Sequence, residues 1–246
     1  MKRRHVVIAL LAAGLPAFAG AAGERTVLVT GATGQTGRLV VAALAGKGWA
    51  VRGMVRSAAS ATTPTSGVET VVADVTQPTS LAAAVKGVTV VISTLGARFP
   101  IGANGFEAVD WQGNRALIDA AKAAGVRHFI LLSAGSAGRA GIPYSWSISP
   151  YPWKAKSEAY LRRSGLPYTI IAAGGLGDEP GGLAGVRLAP RERYQSGQIS
   201  RADLAQVLVA CVGEPSVMRR TITIVNDETL AVGAWRKQLG QLPADR

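Results

Sequence analysis

Short, nearly all-apolar runs that alternate with alanine-rich stretches of helical length predict an α/β fold, built on a doubly wound parallel sheet and forming one domain. Two further observations support this. A chain of 246 residues that is 48% hydrophobic and only 17% charged can bury a large core, and its 30 glycines supply many turns. The strand-like runs are Thr26 to Thr30, Ala50 to Val55, Glu69 to Ala73, Val88 to Ser93, His128 to Ser133 and Tyr168 to Ile171. Their continuous apolar character suits strands covered by helices on both faces. Helices are predicted between them at Thr36 to Lys47, Leu81 to Lys86, Gly105 to Ala124 and Trp153 to Ser164, long enough for the crossovers that parallel strands require.

Ahead of the first strand, Lys2-Arg3-Arg4-His5 leads into the apolar Val6 to Leu15, then Pro16 and Ala17-Phe18-Ala19. A basic start, an apolar stretch and a small-x-small site predict a signal peptide over residues 1–22, with the folded domain at 23–246 and the protein exported to a periplasm. Arg3-Arg4 suits twin-arginine export, with general secretion as the alternative. An uncleaved segment would instead tether the chain to a membrane.

The first strand runs into Thr30-Gly31-Ala32-Thr33-Gly34-Gln35-Thr36-Gly37 and then directly into the first helix. Gly31 permits a tight turn, Gly34 lets backbone N–H groups approach a pyrophosphate, and Gly37 lets the helix lie close on the sheet. Strand, glycine turn and helix together make the fold Rossmann-type, with Gly31, Thr33, Gly34, Gln35, Thr36 and Gly37 as the candidate phosphate cradle. An acidic residue after the second strand would favour NAD; this chain has Arg56 there, whose guanidinium would pair with a 2′-phosphate, so NADP is the expected cofactor. Asp74 and Val75 end the third strand, where the carboxylate can accept from an adenine amino group. Thr94, Leu95 and Gly96 end the fourth, beside the expected ribose and nicotinamide.

Beyond Ile171 the glycine-rich stretch from Gly174 to Gly185 predicts a mobile loop near the active face. A helix at Arg201 to Val212, a strand at Thr221 to Val225 and a helix at Leu230 to Leu239 complete a small C-terminal region on the substrate side. Cys211, the single cysteine, falls on an apolar helix face with Leu204, Val207 and Leu208, which predicts a buried thiol.

Val29 to Gly37, Arg56, Ala73-Asp74-Val75, Asn114 to Ala121, Val126 to Ser133, Lys154 to Glu158, Ser164 to Ile170 and Ile199 to Ala205 together resemble the atypical short-chain dehydrogenase/reductase superfamily, in the NAD(P)H-binding branch that includes the NmrA-like proteins. The resemblance implies a catalytic serine, tyrosine and lysine, the lysine four residues after the tyrosine. Ser133 and Lys154 match, but Pro150 stands where the tyrosine belongs. Tyr151 and Tyr144 are the nearby substitutes for a phenolic proton donor, or else aromatic lining with Trp146 and Trp153. Lys154 has a second reading, as a surface ion-pair partner of Glu158 at i and i+4. Where many relatives carry Arg-Pro-Gly after the sixth strand, this chain has Ala172-Ala173-Gly174.

The formal charge is +12, and +9 without Lys2, Arg3 and Arg4. Basic residues are scattered in pairs without a nucleic-acid-binding motif, so the expected partners are an anionic cofactor and a small-molecule substrate, or a protein, and not nucleic acid. His5 and His128 lack clustered ligands, so no metal site is expected. Two functions remain open: an NADP(H)-dependent oxidoreductase acting on quinone or carbonyl acceptors, and a non-catalytic NADP-binding sensor or scaffold.

Overall fold

A computed structural model describes residues 26–61, 67–138 and 148–245. The segment 1–22, Tyr144 and Trp146 lie outside these residues. Strands β1 (Thr26–Thr30), β2 (Ala50–Val55), β3 (Val68–Val72), β4 (Val88–Ser93), β5 (His128–Ala134) and β6 (Tyr168–Ala173) follow the predicted runs to within two residues. They join β8 (Gly185–Pro190) and β10 (Arg220–Asp227) in one eight-stranded sheet of order β3-β2-β1-β4-β5-β6-β10-β8. All neighbours are parallel except β10 and the edge strand β8. The order reverses between β1 and β4, and in open α/β sheets ligands bind in the crevice at such a reversal.

Helices α1 (Gln35–Ala45) and α5 (Arg201–Ala210) cover one face, while α2 (Leu81–Val85), α3 (Asn114–Ala123) and α4 (Tyr151–Arg163) cover the other. The central strands β1, β4, β5 and β6 are nearly all apolar and buried for this reason. Val27 and Val29 pack toward Val40, Leu44 and Leu208, whereas Leu28 between them packs with Leu117, Phe129 and Leu161 on the opposite face. Cys211 is fully buried in the first of these cores, and burial pushes its thiol up to about 12.

Four expectations are corrected. The mobile loop expected from Gly174 instead carries β7 (Gly175–Gly177), paired in parallel with β9 (Gln198–Ser200). Gly174 donates its N–H to the Ile224 carbonyl, and a Cβ there would collide with the Gly197 carbonyl, so these glycines serve close backbone packing. The long helix predicted from Gly105 is π-helical over Glu107–Gly113 before α3 begins. The helix expected from Trp153 starts at Tyr151, with Pro152 in its first turn. The last predicted helix shrinks to α6 (Trp235–Gln238), because Gly233 adopts a left-handed φ of 79° just ahead of it.

Candidate active site

The turn after β1 is shaped by contacts that only glycine allows. Gly31 has φ +73° and its carbonyl accepts the Gly34 N–H at 2.9 Å, while Gly34 is the N-cap of α1. A Cβ on Gly37 would strike the Gly31 carbonyl, so α1 can approach the turn only with hydrogen at that position. Thr94 closes the turn from β4, donating both its N–H and its hydroxyl to the Thr30 carbonyl. The helix terminus is thereby aimed along the C-terminal edge of the sheet, as an anion cradle requires.

Two adjoining cavities lie along this edge. The first, of about 390 Å³, is lined by Gly31, Thr33, Gly34, Arg56, Asp74, Val75, Thr94, Leu95 and Gly96, together with Met54, Phe99 and Asn104. Arg56 is exposed and forms no ion pair among the described residues. The Asp74 Oδ1 accepts the N–H and hydroxyl of Thr76 at 2.9 and 2.8 Å, which fixes the carboxylate at the cleft. The second cavity, of about 480 Å³, shares Thr94, Leu95 and Gly96 and adds Thr36, Ser133, Tyr151, Lys154, Gly174, Gly175 and Tyr194. Gln35 and Gly37 line neither cavity. A larger groove of about 1170 Å³ runs along α2 and α3, but its alanine-rich walls hold none of the candidate residues except Val75.

Lys154 does not pair with Glu158. Its Nζ lies 2.7 Å from Oδ1 of the fully buried Asp110 and 3.5 Å from the Leu95 carbonyl. Glu158 is buried instead among Ser133, Arg162 and Arg191. Ser133 donates its hydroxyl to Oε1 at 2.5 Å, Arg191 pairs with the same oxygen, and Arg162 reaches Oε2 at 3.1 Å. Arg191 also donates to the carbonyls of Ala134, Gly135 and Ala137, binding the turn after β5 to this buried charge.

Asp110, Arg191 and Tyr194 escape sequence reasoning. Asp110 carries a weak signal, an acid placed three and four residues before the buried Gly113 and Asn114 and so on the inward side of its helix. Tyr194 carries none, because it arrives from the C-terminal region to lie against Gly135, where a Cβ would meet its ring.

A parallel sheet with a glycine turn at its switch point and a divided cleft along that edge defines a dinucleotide-binding α/β protein. The profile of the NAD(P)H-binding family matches residues 31–215, and the chain belongs to that family. It is 35% identical over 211 residues to the uncharacterized chloroplastic protein At2g37660 of Arabidopsis thaliana, covering 75% of this chain and 64% of that one. It is 32% identical to sanguinarine reductase of Eschscholzia californica (76% of this chain, 82% of the relative) and 33% identical to the uncharacterized sugar epimerase YhfK of Bacillus subtilis (86% and 99%). The fold matches that of an oxidoreductase from Lactococcus lactis with a TM-score of 0.73 at 22% identity, covering 88% of this chain and 95% of that one. The family is thus one of NAD(P)H-binding oxidoreductases with reductase and epimerase members.

The relatives overturn the expected periplasmic location. At2g37660 and TIC 62 of Pisum sativum, the latter 27% identical over 96% of this chain and 49% of its own length, are chloroplastic proteins.

Proposed function

We propose that this protein is an NADP(H)-dependent reductase of carbonyl or quinone acceptors. One observation carries the reading: the glycine turn and Arg56 line one cavity, Ser133, Tyr151 and Lys154 line the next, and Thr94, Leu95 and Gly96 form a wall common to both. The residues fit a dinucleotide, since the hydrogen-only contact at Gly37 and the open N-terminus of α1 form the cradle that a pyrophosphate needs. Arg56, unpaired among the described residues, suits a 2′-phosphate rather than a bare ribose hydroxyl. Sanguinarine reductase supports the choice of reduction over epimerisation.

The reduced nicotinamide, when bound, supplies a hydride to the acceptor carbon. The residues of the second cavity then have two tasks, holding the acceptor oxygen and delivering the proton that balances the hydride. Lys154 presents an ammonium fixed in place by Asp110, and Tyr151, three residues earlier on the same helix, offers a phenol to the same cavity. Ser133 orders the end of β5 through Glu158. A quinone demands less acid assistance than an aldehyde or ketone, which suits a site with proline at the usual tyrosine position.

That same proline, and the commitment of Ser133 to Glu158, favour a second reading as an NADP-binding module without turnover. The protein loaded with NADPH separates the two. Cofactor fluorescence should be lost rapidly on adding one class among quinones, aldehydes and ketones, and Lys154→Ala should abolish that loss. Stable fluorescence with every acceptor establishes the binding module, and absence of NADPH binding removes both readings.

A further inference from the structure

Asp110 occupies the π-helical turn and is wholly buried. Its Oδ1 faces the Lys154 Nζ at 2.7 Å, and its Oδ2 accepts the Ala97 N–H at 3.0 Å. The Ser157 hydroxyl and the Asn114 amide both donate to its backbone carbonyl, and Asn114 in turn accepts from Ser93 at the end of β4. Apart from Lys154, Oδ1 meets no donor among the described residues. The turn is pressed against the cleft as well: a Cβ on Gly113 would lie 2.6 Å from the Val75 side chain, so the helix backbone sits directly on a residue that lines the first cavity.

One carboxylate therefore holds both the ammonium of the second cavity and, through Ala97, the strand-end segment common to the two cavities. Lys154 is the one charged side chain that lines the second cavity among the described residues; its other walls are apolar or uncharged polar groups, with the rings of Tyr151 and Tyr194. Phe99 and Leu176 stand exposed at the rims of the two cavities, adding apolar surface at the mouth. With Asp110 in place, the acceptor end of the cleft has a cation-shaped donor but no net charge.

We propose that Asp110 is a specificity-determining and positioning residue: by neutralising Lys154 where it stands, it makes the acceptor cavity select uncharged, apolar acceptors over anionic ones. The proposal rests on the reductase reading for the word acceptor, but the electrostatic selection exists with or without turnover. A unit charge left uncompensated within several ångströms of a bound anion, in a site of effective dielectric constant near 20, changes relative affinity by about tenfold or more.

The test compares binding of 1,4-naphthoquinone and 1,4-naphthoquinone-2-sulfonate by calorimetry, using the full chain loaded with NADP⁺, which cannot reduce them. Asp110→Asn keeps an acceptor for the Ala97 N–H and should shift the affinity ratio toward the sulfonate by about tenfold. Lys154→Met leaves Asp110 uncompensated and should shift the ratio the other way, and the double variant should return it toward that of the parent. An unmoved ratio in Asp110→Asn with normal thermal melting, a shift of both single variants in the same direction, or failure of the parent protein to bind either naphthoquinone overturns the proposal. If Asp110→Asn does not fold, the Lys154→Met arm decides: a shift against the sulfonate supports the proposal and an unmoved ratio overturns it. Turnover of the neutral quinone by the NADPH-loaded parent protein is scored separately. A ratio shift without turnover keeps Asp110 in its role and removes quinones from the proposed acceptors, while turnover without a ratio shift keeps the reductase reading and removes the role of Asp110.

Discussion

Arg56 is where a single side chain should decide the cofactor. Its guanidinium is exposed in the first cavity, with Asp74 on the neighbouring strand end and no ion pair among the described residues, so a 2′-phosphate would gain charge-assisted hydrogen bonds without displacing an existing partner. Arg56→Asp should weaken NADPH binding by roughly a hundredfold, the worth of a charged pair turned into a repulsion, and NADH binding only slightly. Fluorescence titration of both cofactors checks this, and equal losses would refute the assignment. The buried network behind Ser133 makes a different prediction, about stability. Arg191→Met strips Glu158 of one of its two arginines and leaves the carbonyls of Ala134, Gly135 and Ala137 without that donor, so urea unfolding should show a loss of about 3 kcal/mol. Most of the first cavity was legible in sequence because its residues follow strand ends at regular places in the chain. The pairing of Lys154 was not, since the i,i+4 neighbour Glu158 looked sufficient and only the fold brings Asp110, 44 residues earlier, to its ammonium.

Among the elements, α1 with its preceding turn is the proposed cradle for the cofactor, and its geometry depends on Gly37. A methyl group there meets the Gly31 carbonyl, which is backbone and cannot swing aside, so the helix must retreat from the turn. Gly37→Ala should therefore lower NADPH affinity at least tenfold while leaving the far-ultraviolet circular dichroism spectrum nearly unchanged, because α1 remains a helix packed through Val40, Val41 and Leu44. This element was readable from sequence since strand, turn and helix are local. The short β7 was not: glycines at 174, 175 and 177 look like a flexible loop until Gly197 and Gln198 are placed beside them by a connection of some twenty residues. The π-helical turn was likewise hidden, since Gly105 to Ala124 reads as one continuous helical stretch and no residue type in it marks where i→i+5 bonds replace i→i+4 ones. The edge strand β8 escaped because Gly185 to Pro190 interrupts its apolar residues with Arg187 and ends in proline, as an edge strand can and a central parallel strand does not.

At the scale of the whole molecule, the doubly wound parallel sheet was predictable because nearly all-apolar runs alternate with helical stretches, and the exception, antiparallel β8, lies where one edge has no further partner. The middle of this sheet holds a group that should make global stability depend on pH. His128 begins β5, between β4 and β6, and is 1% exposed. Its Nε2 lies 2.8 Å from the Thr169 hydroxyl, which donates its one proton to the Val217 carbonyl; the hydroxyl must therefore accept from an Nε2–H. The ring is then neutral with its lone pair on Nδ1, and a second proton placed there would find no acceptor among the described residues. Burial accordingly pushes the imidazole down to about 4 from its ordinary 6.5. Because the folded value is the lower one, the unfolded chain takes up the proton first. The contribution of His128 is complete above pH 6.5, declines as the pH falls from 6.5 toward 4, and amounts to a loss of about 3 kcal/mol once the folded form also protonates. Urea unfolding between pH 7.5 and 4.5 should show this decline in the parent protein, and His128→Asn should flatten it by close to one proton across that window, whatever the variant costs at neutral pH. Groups common to both proteins cancel in the difference, so parallel stability curves would mean that the imidazole is not held neutral by the centre of the sheet.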